Sequence, residues 1–224
     1  MRRRRVGAHD RGVNSSSAIR SQRWFASWYP KLMERVERDG QATMRHDQLA
    51  TASGSVLEIG VGNGFSVRHY PTDLTELVLL EPNPSFRRQL SEQVESLEVP
   101  TKVVDGDAHD LPFADATFDT VTASLVFCSV TDPARALSEV YRVLKPGGRF
   151  LFHEHVRGGP IRGVVQDLIA PVQRRLADGC RPNRDFESML AESPLDVVSL
   201  AHLRMPTVLP TIVPLVVGTA QRAE

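Results

Sequence analysis

The run Val56-Leu57-Glu58-Ile59 leads directly into Gly60-Val61-Gly62-Asn63-Gly64. Glycines in such a loop let the backbone approach a ligand where a Cβ would collide. About twenty residues on, a second apolar run ends at Glu81, where a carboxylate can accept both hydroxyls of a ribose. Dinucleotide sites share this logic, but their fingerprint is GxGxxG. Here the spacing is GxGxG, and Phe65 stands where the last glycine should be. Glu58, just ahead of the first glycine, suits a ligand carrying an ammonium and a sulfonium and repels a pyrophosphate. These features point to S-adenosylmethionine. The competing reading is an ordinary tight turn after a buried strand.

A third strand ends in Val104-Asp105-Gly106-Asp107-Ala108. An acid at its tip can accept a hydrogen bond from an adenine amino group, or Asp105 or Asp107 merely caps the next turn. For a methyl acceptor, a base belongs at the carboxyl ends of the fourth and fifth strands or on the segment beyond, which selects His153, His155 and Asp178. His155, at the strand end, is favoured; the alternative for each histidine is a hydrogen-bonded structural role. His153-x-His155 also has the look of a metal pair, but no acidic or cysteine partner stands at suitable spacing, so no metal is expected. The cysteines, Cys128 and Cys180, are far apart and form no CxxC pair; neither a disulfide framework nor a zinc site is expected from them. Cys128 reads as a small apolar residue near the pocket.

The elements that must hold these residues follow from the apolar pattern. Short apolar runs at Val56–Ile59, Leu77–Leu80, Lys102–Val104, Phe118–Leu125 and Gly148–His153 read as strands. Phe65–His69, Ser85–Leu97 and Pro133–Leu144 between them read as helices. Leu144-Lys145-Pro146-Gly147-Gly148 ends a helix and turns into the fifth strand. This alternation predicts a parallel sheet with helices on both faces. Two more strands are expected at Val197–Leu203 and Ile212–Thr219. Helices at 24–37 (Trp24, Trp28, Leu32 and Val36 on one face) and 161–177 are expected to cover the acceptor pocket. A disordered basic tail is expected over 1–22, and a single domain over 23–224 with its core at 54–155.

With 27 Lys and Arg against 27 Asp and Glu, the formal net charge is +0, which offers no field for nucleic acid. Arg2-Arg3-Arg4-Arg5 lacks the apolar run of an export signal, and no stretch reaches the ~18 apolar residues of a membrane span. A cytoplasmic protein with a small-molecule partner is expected, with neither membrane nor nucleic-acid contact.

Together, Val56-Leu57-Glu58-Ile59-Gly60-Val61-Gly62-Asn63-Gly64, Glu81-Pro82-Asn83, Gly106-Asp107-Ala108 with Leu111-Pro112-Phe113, and Leu144-Lys145-Pro146-Gly147-Gly148 resemble the class I S-adenosylmethionine-dependent methyltransferases. The resemblance implies an α/β fold: a seven-stranded Rossmann-like sheet with the last strand antiparallel and helices on both faces. It implies that Glu58, Gly60, Gly62 and Gly64 line the methionine end and that Glu81 holds the ribose. Pro82 and Asn83 would flank the adenine, Asp107 and Ala108 meet its amino edge, and Ser124 and Leu125 lie under the sulfonium.

A closer likeness, over about residues 24–190, involves Tyr29-Pro30-Lys31-Leu32-Met33, Glu81-Pro82-Asn83-Pro84-Ser85-Phe86, Leu125-Val126-Phe127-Cys128-Ser129-Val130, His153-Glu154-His155-Val156 and Asp178-Gly179-Cys180. These are similar to the methyltransferase-like alkyl thiol methyltransferases, which implies a small thiol or similar acceptor. By their place at the strand end and on the segment beyond, His155 and Asp178 are the catalytic candidates, with S-adenosylhomocysteine as product. Mammalian members carry an apolar N-terminal anchor; this chain has the basic tail instead. Ubiquinone/menaquinone-type methylases share the core motifs, so C- or O-methylation of a quinone or lipid is the enzymatic alternative. A protein that binds S-adenosylmethionine without turnover is the non-enzymatic one. Amino-methylating nucleic-acid enzymes need a polar-Pro-Pro-aromatic loop after the fourth strand, where this chain reads Ser124-Leu125-Val126-Phe127.

Overall fold

Every residue of strand β1 (Ser55–Ile59) is buried, as expected of a parallel strand covered on both faces. In the computed structural model, which describes residues 26–27, 30–31, 34–177, 179–204 and 214–224, β1 lies near the middle of a seven-stranded sheet. Its other strands are β2 (Glu76–Leu80), β3 (Thr101–Val104), β4 (Phe118–Ser124), β5 (Leu144–His155), β6 (Asp196–Arg204) and β7 (Pro214–Gln221). The order is β3-β2-β1-β4-β5-β7-β6, and β7 runs antiparallel to both neighbours. This is the expected fold class. The order reverses between β1 and β4, so the glycine loop opens at the switch point, where such sheets bind ligands. The tail, Trp24, Trp28, Tyr29 and Asp178 lie outside the described residues.

The helices are α1 (Ala42–Leu49), α2 (Pro84–Val94), α3 (Pro133–Val143), α4 (Pro160–Leu176) and α5 (Phe186–Ala191). Asn83 and Asp132 cap α2 and α3 by accepting from Ser85 N and Arg135 N, and each helix starts with a proline whose missing N–H is no loss there. Apolar residues alternate between the two sheet faces. Leu57, Ile59, Phe150 and Phe152 enter one core, while Val56, Leu77, Leu79 and Leu151 enter the other.

Four details differ from expectation. The Phe65–His69 helix is a single 3-10 turn, Val67–His69. The Lys145-Pro146-Gly147-Gly148 run does not precede β5 but is absorbed into it as an irregularity. Phe118 pairs with Leu144 and Thr120 with Arg149, with Gly147 at φ 73°. Helix α5, unforeseen, is capped by Asp185 and puts Phe186 against Phe127 and Phe152 at 5.4 Å between ring centroids. Helix α4 forms as expected, but its apolar stripe faces outward: Ile161, Val164, Leu168 and Val172 are exposed. Its buried Gln166 instead donates to Val156 O and Pro182 O and accepts from Gly158 N. No helix among the described residues is long and apolar enough to cross a membrane.

Candidate active site

The glycine loop is held from below by the carboxylate at the end of β2. Glu81 accepts from Gly62 N (2.7 Å) through one oxygen and from Asn83 N (2.8 Å) through the other. These contacts fix the Glu81 carboxylate at the end of β2 beside the loop, and a carboxylate there is an acceptor-only group of the kind a ribose hydroxyl donates to. Gly60, Gly62 and Gly64 all have positive φ. A Cβ at Gly60 would meet Val126 Cγ2 at 2.8 Å, whereas a Cβ at Gly62 would meet nothing within 4 Å. Gly62 therefore forms the open part of the cradle.

Arg87 binds the tips of β2 and β3 together, donating to Glu81 O, Pro82 O and Asp105 Oδ1. Pro82 is exposed at this rim and Asn83 buried beneath it. Asp105 is thus engaged in an ion pair. Asp107 accepts from His109 N (2.9 Å) and meets His109 Nδ1, so the capping role weighed for it is real. Its side chain stays mostly exposed at the strand tip, with buried Ala108 beside it.

At the ends of β1 and β4 lies a buried polar cluster. Glu58 accepts from Tyr70 Oη (3.1 Å), and Tyr70 also bonds Thr122 Oγ1 (2.6 Å). Burial pushes the Glu58 carboxyl above its usual range, against the pull of Ser66, Arg45 and Tyr70. Arg45, from α1, donates to Ser124 Oγ (2.8 Å) and to Glu37 Oε1 (2.8 Å) in a buried ion pair. Among the described residues, Glu37 Oε2, Arg45 Nε and both side-chain polar atoms of Gln41 are buried without partners. Buried polar atoms are ordinarily satisfied. A ligand end bearing both an ammonium and a carboxylate offers partners of both kinds, so these residues and the Gly62 cradle fit S-adenosylmethionine. The sequence reading missed Glu37, Gln41 and Arg45; the only signal was charged and amide residues recurring at helical spacing just before β1.

Leu125, directly after β4, adopts φ 60°, a left-handed conformation that costs a non-glycine residue roughly 1–3 kcal/mol and concentrates at functional sites. Its N–H donates to His153 O. The three residues ending β5 have separate surroundings. His153 is buried with neither ring nitrogen partnered among the described residues; burial, then the Arg45 charge, takes it down to about 3. Glu154 accepts from Val126 N (2.7 Å) and Phe127 N (3.0 Å), clamping the loop after β4, and burial pushes it up to about 7. His155 Nδ1 lies 3.7 Å from Cys180 Sγ, which is 3.5 Å from Cys128 Sγ. Burial pulls His155 down, but Cys128 and Glu154 outweigh it and leave the imidazole above its usual value. Both cysteines are free and buried. The structure thus brings His155 together with two cysteines that sequence spacing kept apart.

A family model for a methyltransferase domain matches residues 57–152. The chain is 30% identical over 195 residues to the thiol S-methyltransferase TMT1A of Homo sapiens, covering 80% of each chain. It is 32% identical over 140 residues to a demethylmenaquinone methyltransferase of Renibacterium salmoninarum, covering 62% of this chain and 57% of that one. Its fold matches that of geranyl diphosphate C-methyltransferase from Streptomyces coelicolor A3(2), solved with S-adenosyl-L-homocysteine. There the TM-score is 0.63 at 17% identity, over 82% of this chain and 77% of that one.

Proposed function

For a chain that belongs to the class I S-adenosylmethionine-dependent methyltransferases, in the family that includes the thiol S-methyltransferase TMT1A, we propose transfer of the methyl group to the sulfur of a small-molecule thiol. The observation that carries the reading is the open cradle at Gly62 over Glu81, on the same sheet edge as a buried, sulfur-lined end at His155. Bound S-adenosylmethionine supplies a methyl carbon already activated by its sulfonium. Glu81 orients the ribose through its hydroxyls, with Pro82 and Asn83 along the adenine and Asp107 and Ala108 at its amino edge. Glu58, Gly60, Gly62 and Gly64 hold the methionine end with Arg45, and Ser124 and Leu125 form the floor under the sulfonium. Alignment of donor and acceptor then supplies much of the rate.

The acceptor sulfur must be ionised to attack well, and a free thiol has a pKa near ~8.5. His155 is the acceptor-side residue on which that ionisation depends, and Asp178, outside the described residues, is proposed as a second catalytic residue. Residues 23–224 act as one domain, with α4 and the N-terminal helix over the acceptor, in the cytoplasm and without nucleic acid or membrane.

Thermal shift with S-adenosylmethionine and S-adenosylhomocysteine tests the donor site. A ligand that binds only the native state stabilises by about 2.7 kcal/mol at a hundredfold excess over its Kd. We expect a shift with both ligands, lost in Glu81→Ala. Methyl transfer to a panel of aliphatic thiols and prenylated phenols then tests the acceptor. The likeness to a demethylmenaquinone methyltransferase favours ring C-methylation as the second reading, and turnover of the phenols alone would establish it. Donor binding with no turnover on either set would favour a non-catalytic binding protein.

A further inference from the structure

We propose that Cys128, His155 and Cys180 form a binding site for one zinc ion, whose fourth position takes the acceptor thiol. The ion site stands on geometry alone; the occupant of the fourth position rests on the thiol reading.

The three residues come from separate parts of the chain: the loop after β4, the last residue of β5 and the segment after α4. All three are buried, and their ligand atoms lie within 4.8 Å of one another. Tetrahedral zinc binds thiolate sulfur at about 2.3 Å and imidazole nitrogen at about 2.0–2.1 Å, so adjacent ligand atoms stand about 3.6–3.8 Å apart. Cys128 Sγ and Cys180 Sγ are 3.5 Å apart, and Cys180 Sγ and His155 Nδ1 are 3.7 Å apart. A disulfide would account for the two sulfurs, which would close to about 2.0 Å, but not for an imidazole nitrogen turned toward them. Two thiolates, a neutral imidazole and Zn²⁺ sum to zero charge, which a buried site tolerates far better than a lone ion.

The surroundings hold the ligands in place, as groups around a metal site do. Glu154 Oε1 fixes the loop that carries Cys128. Arg181 N donates to Cys128 O (2.8 Å), fastening the Cys180 segment to it. Gln173 Nε2 donates to Cys180 Sγ (3.4 Å), a contact suited to a thiolate.

Three protein ligands leave a tetrahedral zinc one open position, and a soft sulfur ligand suits it. On metal binding each cysteine S–H gives its proton to solvent, and the sulfur electron pair forms the Zn–S bond. An acceptor thiol entering the fourth position does the same. His155 then ionises the acceptor through the ion rather than as a free base.

The test is titration of the full-length, reduced, chelator-stripped protein with Co²⁺, read in the visible and near-ultraviolet. We expect one equivalent to give the d–d bands of tetrahedral cobalt with a sulfur-to-cobalt charge-transfer band, and zinc to displace it. Cys128→Ser and Cys180→Ser should each weaken the charge-transfer band and lower affinity tenfold or more. Retained thermal stabilisation by S-adenosylhomocysteine would show that they are folded. A small aliphatic thiol should shift the d–d bands of the wild type. Absent bands in the folded, reduced wild type would overturn the ion site, all the more if a low-molecular-weight disulfide then joins Cys128 to Cys180. Bands indifferent to thiol would overturn the open position alone. A thiol-responsive cobalt spectrum with no thiol methylation would uphold the ion site while refuting the proposed reaction.

Discussion

At His153 and Glu154, burial acts on neighbouring residues with opposite consequences for pH. The folded state holds Glu154 at about 7 against its ordinary 4.5, so it favours the protonated acid. The stability this contributes is full below pH 4.5 and is lost as pH rises through 7. His153 is held at about 3 against 6.5, so the folded state refuses the proton. Its contribution is full above pH 6.5 and is lost as pH falls toward 3. Glu154→Gln should therefore gain on the wild type by up to about 3 kcal/mol between pH 5 and 8, while His153→Asn should flatten the acid side only. Urea midpoints across that range read both, and parallel profiles for the two variants would contradict the assignment. In the proposed reaction His155 acts at the acceptor. His155→Gln should lower thiol methylation about tenfold or more at neutral pH, with the deficit shrinking above the acceptor's own pKa near ~8.5. A pH-independent deficit would point instead to a packing role.

The glycine loop shows, at the scale of an element, how much of the site was legible. Its spacing, the strand before it and Glu81 after the next strand were all readable, because a cradle must come from contiguous residues and a sheet places the next strand end beside it. What could not be read is how the three glycines divide their roles. Gly60 and Gly64 are hemmed in by Val126 and by Leu90 with Gln93, while Gly62 faces open space. Gly60→Ala should fail in both stability and donor binding. Gly62→Ala should lose only about 1–2 kcal/mol of stability, the cost of a left-handed alanine, yet weaken S-adenosylmethionine binding tenfold or more. Calorimetric titration beside a denaturant midpoint separates the two losses. The clustering at the proposed acceptor end was illegible for the opposite reason. Cys128, His155 and Cys180 are separated by 25 and 52 residues in their sulfur contacts, and only the completed sheet and the return of α4 bring them together.

Across the whole molecule, hydrophobic pattern located the strands, most plainly the buried β1 and β2, whereas the antiparallel last strand was implied by the family resemblance. The same pattern found α4 but not how it sits, because periodicity identifies an apolar face and not what covers it. Its apolar stripe points out, with Leu168 74% exposed, while Gln166 is buried and carries the hydrogen bonds that fasten the helix to Val156, Gly158 and Pro182. The energetic consequence inverts the usual expectation for an amphipathic helix. Leu168→Gln removes little buried area and should leave stability within about 0.5 kcal/mol. Gln166→Leu keeps the volume but strands two buried carbonyls and leaves a part-buried N–H without its acceptor. Each stranded group costs about 1–3 kcal/mol, so a loss of several kcal/mol is expected by guanidinium midpoint. Because the segment after α4 carries Cys180, Gln166→Leu should also disturb the acceptor end while S-adenosylhomocysteine binding at the glycine loop persists. A helix seated on its apolar face would give the reverse order, with Leu168→Gln the more damaging change.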